Sequence, residues 1–386
     1  MSGIVLTASV RQNLLSLQST ADLLSTTQNR LATGNKVNSA LDNPTNFFTA
    51  QGLNNRASDI NNLLDSIGNG VQVLQAANTG ITSLQKLVDT AKSIANQVLQ
   101  APTGYTTKST VTSAIAAGGT AANLVDATTI KAGETITFAA SGALPALVVT
   151  IGASESLDQL NTALAPGNIT ASLDSANKLV FTTTNDAASS TIGAITLGGA
   201  GTLTFGAAVA PVADAASQTI RSSLVKQYND IITQISTTSQ DSSFNGINLL
   251  NGDNLKLTFN ETGKSTLNIA GVTFNAAGLG LASLVSGTDF LDNNSANSAL
   301  TKLSTASTTL RTEASALGSN LSVVQIRQDF NKNLINVLQT GSSNLTLADT
   351  NEEAANSQAL STRQSIAVSA LALANQSQQS VLRLLQ

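Results

Sequence analysis

Three stretches of this chain carry residue types at spacings that chemistry could use. Gly263-Lys264-Ser265 has the closing residues of a phosphate-binding loop, in which backbone amides cradle the phosphates and the lysine reaches the outer ones. The glycine such a loop needs five residues earlier is Thr258, and the surrounding pattern is a hairpin, so the stretch reads as a turn. Asp241, Ser243, Asn245 and Gly246 open like a calcium loop, but the twelfth position is Gly252, where a bidentate glutamate would have to close the coordination sphere. That stretch also reads as a turn. Glu352 and Glu353 offer a carboxylate pair for acid and base work. Adjacent residues point to different sides of a helix, so the pair reads instead as a solvated first turn, where acids favour the helix dipole. Asn168-Ile169-Thr170 is a glycosylation sequon, read as coincidence because no cleavable leader is recognised upstream. The chain has no Cys, no His and no Trp, and a single Met. Thiol nucleophile, imidazole base and the commonest zinc ligands are thereby absent together. No catalytic, cofactor-binding or metal site is expected, and the chain does not read as an enzyme.

The elements say more than the motifs. At 386 residues and 41% hydrophobic content the chain is long enough for two or three domains and too apolar to be wholly disordered. Aromatics are only 3% and charged residues 11%, so burial must come from close contact between small side chains, which suits helices packed along their length. A net charge of −4 with scattered Lys and Arg leaves no basic face for a phosphate backbone, so nucleic acid is not an expected partner. Met1 to Val10 lacks the features of a secretory leader, and no run approaches the roughly 20 apolar residues that cross a bilayer, so no membrane insertion is expected.

Both ends carry apolar seams at the coiled-coil period. Near the start they are Leu14, Leu17, Ala21, Leu24 and Leu31, interrupted only by Gln28. Towards the end they are Leu360, Ala367, Ala370, Leu371, Ala374, Val381, Leu384 and Leu385. The predicted fold is mainly α: long antiparallel, coiled-coil helices at both termini, a β-hairpin region, and a separate β-rich α+β inserted domain. A first helix covers roughly Val10 to Ala32 and stops at Gly34; a linker with Asp42, Asn43 and Pro44 follows. A second helix runs from about Thr45 to Gln100, with Gly68, Gly70 and Gly80 allowing close helix approach or bending. From Thr103 to about Ala216 the period falls to two, with strands expected at Thr135 to Phe138, Leu147 to Ile151, Leu179 to Thr183 and Leu203 to Phe205, and a short helix at Ser156 to Leu164. Helix returns near Ser217, hairpins follow around Asn245-Gly246, Asn251-Gly252 and Gly263, and helix resumes from about Asp292 to Thr340 until Gly341 breaks it.

These residues resemble bacterial flagellin over almost all of the chain outside the insertion. Arg30-Leu31-Ala32-Thr33-Gly34-Asn35-Lys36-Val37-Asn38-Ser39-Ala40 with Asp42 is similar to that family's "RLSSG.RINSA.D" signature, and Asn69 to Gln75 to its "NDGISLAQ" segment. Asn245-Gly246 with Leu249-Leu250-Asn251-Gly252 matches its "FNG..LL.G" hairpin; Ala348-Asp349 with Glu352, Ala367 to Gln376 and Val381 to Leu385 resemble its closing helix.

The resemblance implies a structural subunit that polymerises into the bacterial flagellar filament used for swimming, exported unfolded without a cleaved signal peptide and added at the distal tip. Residues 1–44 and 345–386 would form the terminal coiled-coil core, 45–102 and 217–344 a helical domain with β-hairpins, and 103–216 a variable outer β-rich domain. Partners implied are further copies of itself, a flagellar export chaperone, the filament cap and hook-junction proteins. A terminal helix from Asp349 to Gln386, about 55 Å long at 1.5 Å per residue, exceeds what a shorter N-terminal helix covers, so the ends are expected to order on assembly. In flagellins detected by the vertebrate innate receptor the long first helix carries a Gln-Arg pair followed by Glu; the equivalent positions here are Lys92, Ser93 and Asn96, none of which matches. Two other readings are a hook–filament junction protein and a surface glycan-binding homologue. The scarcity of aromatics in 103–216 argues against sugar stacking.

Overall fold

In the computed structural model, which describes residues 8–384, six α-helices frame ten short strands. The chain runs α1 (Ala8–Thr33), α2 (Pro44–Gln100), a β-rich stretch from β1 (Tyr105–Thr107) to β8 (Val212–Ala213), α4 (Ala215–Asp241), the hairpin of β9 (Leu255–Thr258) and β10 (Thr266–Ile269), α5 (Asn293–Thr346) and α6 (Thr350–Leu384). It is a mainly α protein with long terminal helices and a β-rich middle. Contacts divide it into two compact units: one from the chain up to Asn69, Lys256–Leu267 and the chain from Val323 onward, the other from Gly70–Leu255 and Asn268–Ser322. The long helices α2 and α5 each contribute to both.

In the first unit, α2 begins where local chemistry tells it to. The Asn43 side chain accepts from the Asn46 amide at 3.0 Å, an N-cap, and Pro44 occupies the first helical position, where a missing N–H costs nothing. Ala57 and Ile60 on α2 meet Ile335 and Leu338 on α5. Helix α5 does not stop at Gly341 as its glycine suggests; it continues to Thr346, and the break falls at Leu347–Asp349. A methyl group at Gly341 would make only ordinary contact with Leu53, at 3.5 Å. The hairpin tip is tied to the helices by Arg56 and Glu261 at 2.7 Å, and by Asn331, whose side chain donates to the Phe259 carbonyl at 3.0 Å.

In the second unit α2 buries one continuous stripe, with Leu74, Ala77, Ile81, Leu84, Val88, Ala91, Ala95 and Val98 all inaccessible to solvent. Gly80 sits where this helix is crossed closely: a Cβ there would lie 2.7 Å from Leu250 Cδ1 and collide with Ser242. Gly68, by contrast, has open space around it. Asn245 and Gly246 both take positive φ, 50° and 80°, between bridge partners Phe244 and Ile247, which is the two-residue turn the sequence signals.

The β-rich stretch has its own core. β2 (Thr110–Thr112), β6 (Leu179–Thr183) and β5 (Ile169–Leu173) form one sheet, and β4 (Leu147–Thr150), β3 (Thr135–Phe138) and β7 (Ile195–Gly198) another. Phe138 of one sheet and Phe181 of the other meet edge to face, 5.0 Å between ring centroids, among Leu124, Ile136, Leu160 and Leu179. The expected short helix is α3 (Leu157–Leu164), started by a capping box between Ser156 and Gln159. Leu203 to Phe205 is not a strand; only Phe205 makes an isolated bridge, to Ser113. At the base of this stretch Arg221 of α4 is buried and donates through Nε to the Pro102 carbonyl at 3.0 Å and through Nη1 to the Phe290 carbonyl at 2.8 Å. Burial lowers its pKa and Asp292 works against that.

A recurring detail of the helices is that threonine and serine hydroxyls donate to the carbonyl four residues back. Thr82, Thr90, Thr301, Thr305, Thr308, Thr309, Thr312, Thr362 and Ser369 all do so, at 2.9 to 3.1 Å.

Candidate functional site

The residues singled out from the sequence lie on α1 and α6, which run antiparallel against each other within one chain, both in the first unit. Their inner faces follow the heptad. On α6 the covered positions are Glu353, Ser357, Leu360, Gln364, Ala367, Leu371 and Ala374; on α1 they are Val10, Asn13, Leu17, Thr20, Ala21, Leu24, Thr27 and Arg30. Leu17, Leu24, Leu360, Ala367, Leu371 and Ala374 therefore sit on one seam, each half-buried. Leu14 and Leu31 do not: they remain 46% and 38% exposed, and Ala370 also points outward. The phase is set by Val10 and Thr27, both buried, which put the seam one step away from Leu14. The side chains of Val381 and Leu384, and all of Leu385, lie outside the described residues. The seam of α6 thus finds its first partner in its own chain's α1, not only in a neighbour.

One end of the pair is fastened by charge. Arg30 Nη1 lies 3.4 Å from Glu353 Oε1, with the carboxylate side chain 11% and the guanidinium 36% exposed. Glu353 is therefore not a solvated first-turn residue; Glu352 beside it is exposed, and the two carboxylates are not a pair. Next to this contact the two connectors hydrogen-bond to each other. The Lys36 amide donates to the Thr346 carbonyl at 2.8 Å and the Ala348 amide to the Gly34 carbonyl at 2.9 Å, with Gly34 at φ 71°. Asp42 closes its own loop by accepting from the Ser39 amide at 2.8 Å and the Asn38 amide at 3.0 Å, which hold its carboxyl below the usual carboxylate range. The sequence reading missed Val10, Thr27 and Glu353; the heptad count backwards from Leu17 and Leu24 was the signal for the first two.

The outer faces stay apolar. On α6, Ile366 is 63% and Leu373 70% exposed, and Leu15 and Leu23 of α1 are likewise open. Lys92, Ser93 and Asn96 lie on α2 in the second unit: Lys92 is half-buried beside Asp89 at 3.9 Å, and Ser93 and Asn96 are exposed. Among the described residues no group of His, Cys, Asp or Glu could hold a metal ion, and no helix is long and apolar enough to cross a membrane.

Paired terminal helices registered by an ion pair, with apolar faces left on the outside, define the class of helical structural proteins built to associate end-helix to end-helix. The bacterial flagellin N-terminal helical region family matches residues 5–141, and the bacterial flagellin C-terminal helical region family matches residues 300–385. The chain belongs to the bacterial flagellin family, a family of structural proteins. Among its relatives are flagellin FljM of Caulobacter vibrioides, 32% identical over 166 residues, and flagellin FljK of the same organism, 31% identical over 163. Each match covers 42% of this chain and 58% of the relative. Flagellin C of Rhizobium meliloti is 35% identical over 77 residues, 20% of this chain and 24% of that protein. The chain thus spans a little over half the length of the Caulobacter relatives.

Proposed function

We propose that this chain is a structural subunit that polymerises through its terminal helices into an extracellular bacterial flagellar filament used for swimming. The observation that carries the reading is the second apolar face on each terminal helix, left open after α1 and α6 have covered each other. A monomer has little reason to leave isoleucine and leucine at helical spacing in water, whereas a polymer has neighbours to cover them. In this reading residues 1–44 and 345–386 form the polymer's core, 45–102 and 217–344 the layer around it, and 103–216 project outward. Its partners are other copies of the chain first, then an export chaperone, the filament cap and hook-junction proteins, reached by export without a cleaved leader. A glycan-binding role for 103–216 gains no support, because Phe138 and Phe181 are consumed by the core. Lys92, Ser93 and Asn96 imply weak innate-receptor activation.

The test is sedimentation and negative-stain microscopy of the full chain beside one trimmed to residues 44–346, after adding short filament seeds or a precipitating salt. Filaments from the full chain alone are the expected result. Polymerisation of the trimmed chain to the same extent rejects a role for the terminal helices.

A further inference from the structure

The back of α1 carries an unfilled socket. A groove of ≈ 400 Å³ is lined by Leu15, Gln18, Ser19, Asp22, Leu23 and Thr26. These six residues are two adjoining sets at i, i+3, i+4, i+7: Leu15, Gln18, Ser19, Asp22, and then Ser19, Asp22, Leu23, Thr26. Each set is the four-residue hole that receives one knob in coiled-coil packing. The groove lies opposite the seam that α1 shares with α6, and all six residues are exposed.

The outer face of α6 carries the complementary series. Ala359, Arg363, Ile366, Ala370 and Leu373 follow spacings of four and three, all exposed, on the side turned away from α1. Arg363 is the cation in that series and Asp22 the anion in the groove, and among the described residues neither has an ion-pair partner within 4.0 Å. An antiparallel approach that sets Arg363 beside Asp22 brings Ile366, three residues further on, over Ser19, three residues back. Ser19 is the small residue at the centre of the groove, flanked by Leu15 and Leu23. Charge and knob are satisfied by the same register.

We propose that the α1 groove centred on Ser19 receives the outer α6 face, with Ile366 as knob and Arg363–Asp22 as register pair, from a second copy of this chain. The inference rests on the filament reading and deepens it. Donor and acceptor are different patches, so the contact is heterologous, and each copy still presents one of each after mating; such a contact propagates into an open helical polymer rather than closing a dimer. The inner α1–α6 seam persists unchanged, so each terminal helix is covered on two sides.

The absence of cysteine from the chain makes the test clean. Full-length Ser19→Cys and Ile366→Cys chains are mixed, polymerised from seeds, and treated with a short bifunctional maleimide, with an unpolymerised mixture as control. A covalent heterodimer from filaments only is the expected result; filaments that form without it overturn the interface while leaving the filament reading intact. Failure of the wild-type chain to polymerise under any seed or salt condition overturns both. Should either cysteine variant not polymerise, charge reversal decides. Asp22→Arg and Arg363→Asp each raise the critical concentration by about five-fold or more, and the double reversal restores it. No rescue by the double variant overturns the proposal.

Discussion

Replacing Glu353 with glutamine removes one charge from the fastening of the terminal helix pair and keeps the side-chain volume. At 3.4 Å the Arg30–Glu353 pair has a gross attraction of about 5 kcal/mol at an effective dielectric of 20. Desolvation takes back most of it, since each ion loses hydration on burial. Losing one partner costs about 3 to 5 kcal/mol for buried pairs and at most about 1 kcal/mol for exposed ones. With one partner 11% and the other 36% exposed, and one long contact instead of a bidentate pair, about 2 kcal/mol is expected. At 1.4 kcal/mol per decade this is about a 25-fold rise in the open population. Hydrogen exchange of amides in Leu24–Arg30 and the first turns of α6 reads that population directly. Amides of β6 serve as an internal reference that does not move. A double variant, Arg30→Met with Glu353→Leu, removes both charges and returns exchange to near the wild-type rate. Exchange in Glu353→Gln within three-fold of wild type refutes the view that this pair fastens the helices.

Three further outcomes are expected. Gly80→Ala places a methyl 2.7 Å from Leu250 Cδ1 and against Ser242, and lowers stability by about 1 to 3 kcal/mol in thermal unfolding, whereas Gly68→Ala, with open space, is neutral or stabilising. At Asp126 burial alone would raise the pKa, but the Ile130 amide at 3.0 Å, with the Thr128 and Thr129 hydroxyls and the Thr129 amide, outweighs it and holds the carboxyl far below the usual range. A depressed folded-state pKa stabilises above the unfolded value near 3.9 and is lost as pH falls below it, so Asp126→Asn is destabilised at pH 7 and converges on wild type in acid-unfolding profiles below about pH 3. Purified monomer gives weak or no activation in an innate-receptor reporter assay, because Lys92, Ser93 and Asn96 depart from the activating pattern; a strong response rejects this.

Much of the architecture was legible because local signals agreed with tertiary demand. Asn43-Pro44 starts α2, Ser156 with Gln159 starts α3, and Asn245-Gly246 turns as a two-residue hairpin, each through backbone chemistry contained within a few residues. Signals failed where the deciding partner is far along the chain. Leucines at 14, 15, 17, 23, 24 and 31 fit more than one heptad phase, and the phase is chosen by what α6 presents, including a carboxylate more than three hundred residues away. Glu353 looks solvated by its neighbours in sequence and is buried by Arg30. Gly341 looks like a helix end, but propensity costs only about 1 kcal/mol and packing of the long helix overrides it. The heptad pointed to the seam; the outward series on α6 became visible only once the inner one had been subtracted.

The back-bonded hydroxyls have a bearing on how readily such helices can be crowded together. A threonine whose Oγ1 already donates to its own backbone has no dangling proton to satisfy when a neighbour covers it, so burial forfeits little hydration. Its short side chain also has few rotamers to lose, where a lysine or glutamate at the same place would give up about 2 kcal/mol of conformational freedom. Helix surfaces of this kind tolerate a change of neighbour or a small slide along the axis without breaking a particular polar bond. That leaves the few charged contacts, Arg30–Glu353 among them, to fix position, while most of the surface behaves as a smooth bearing.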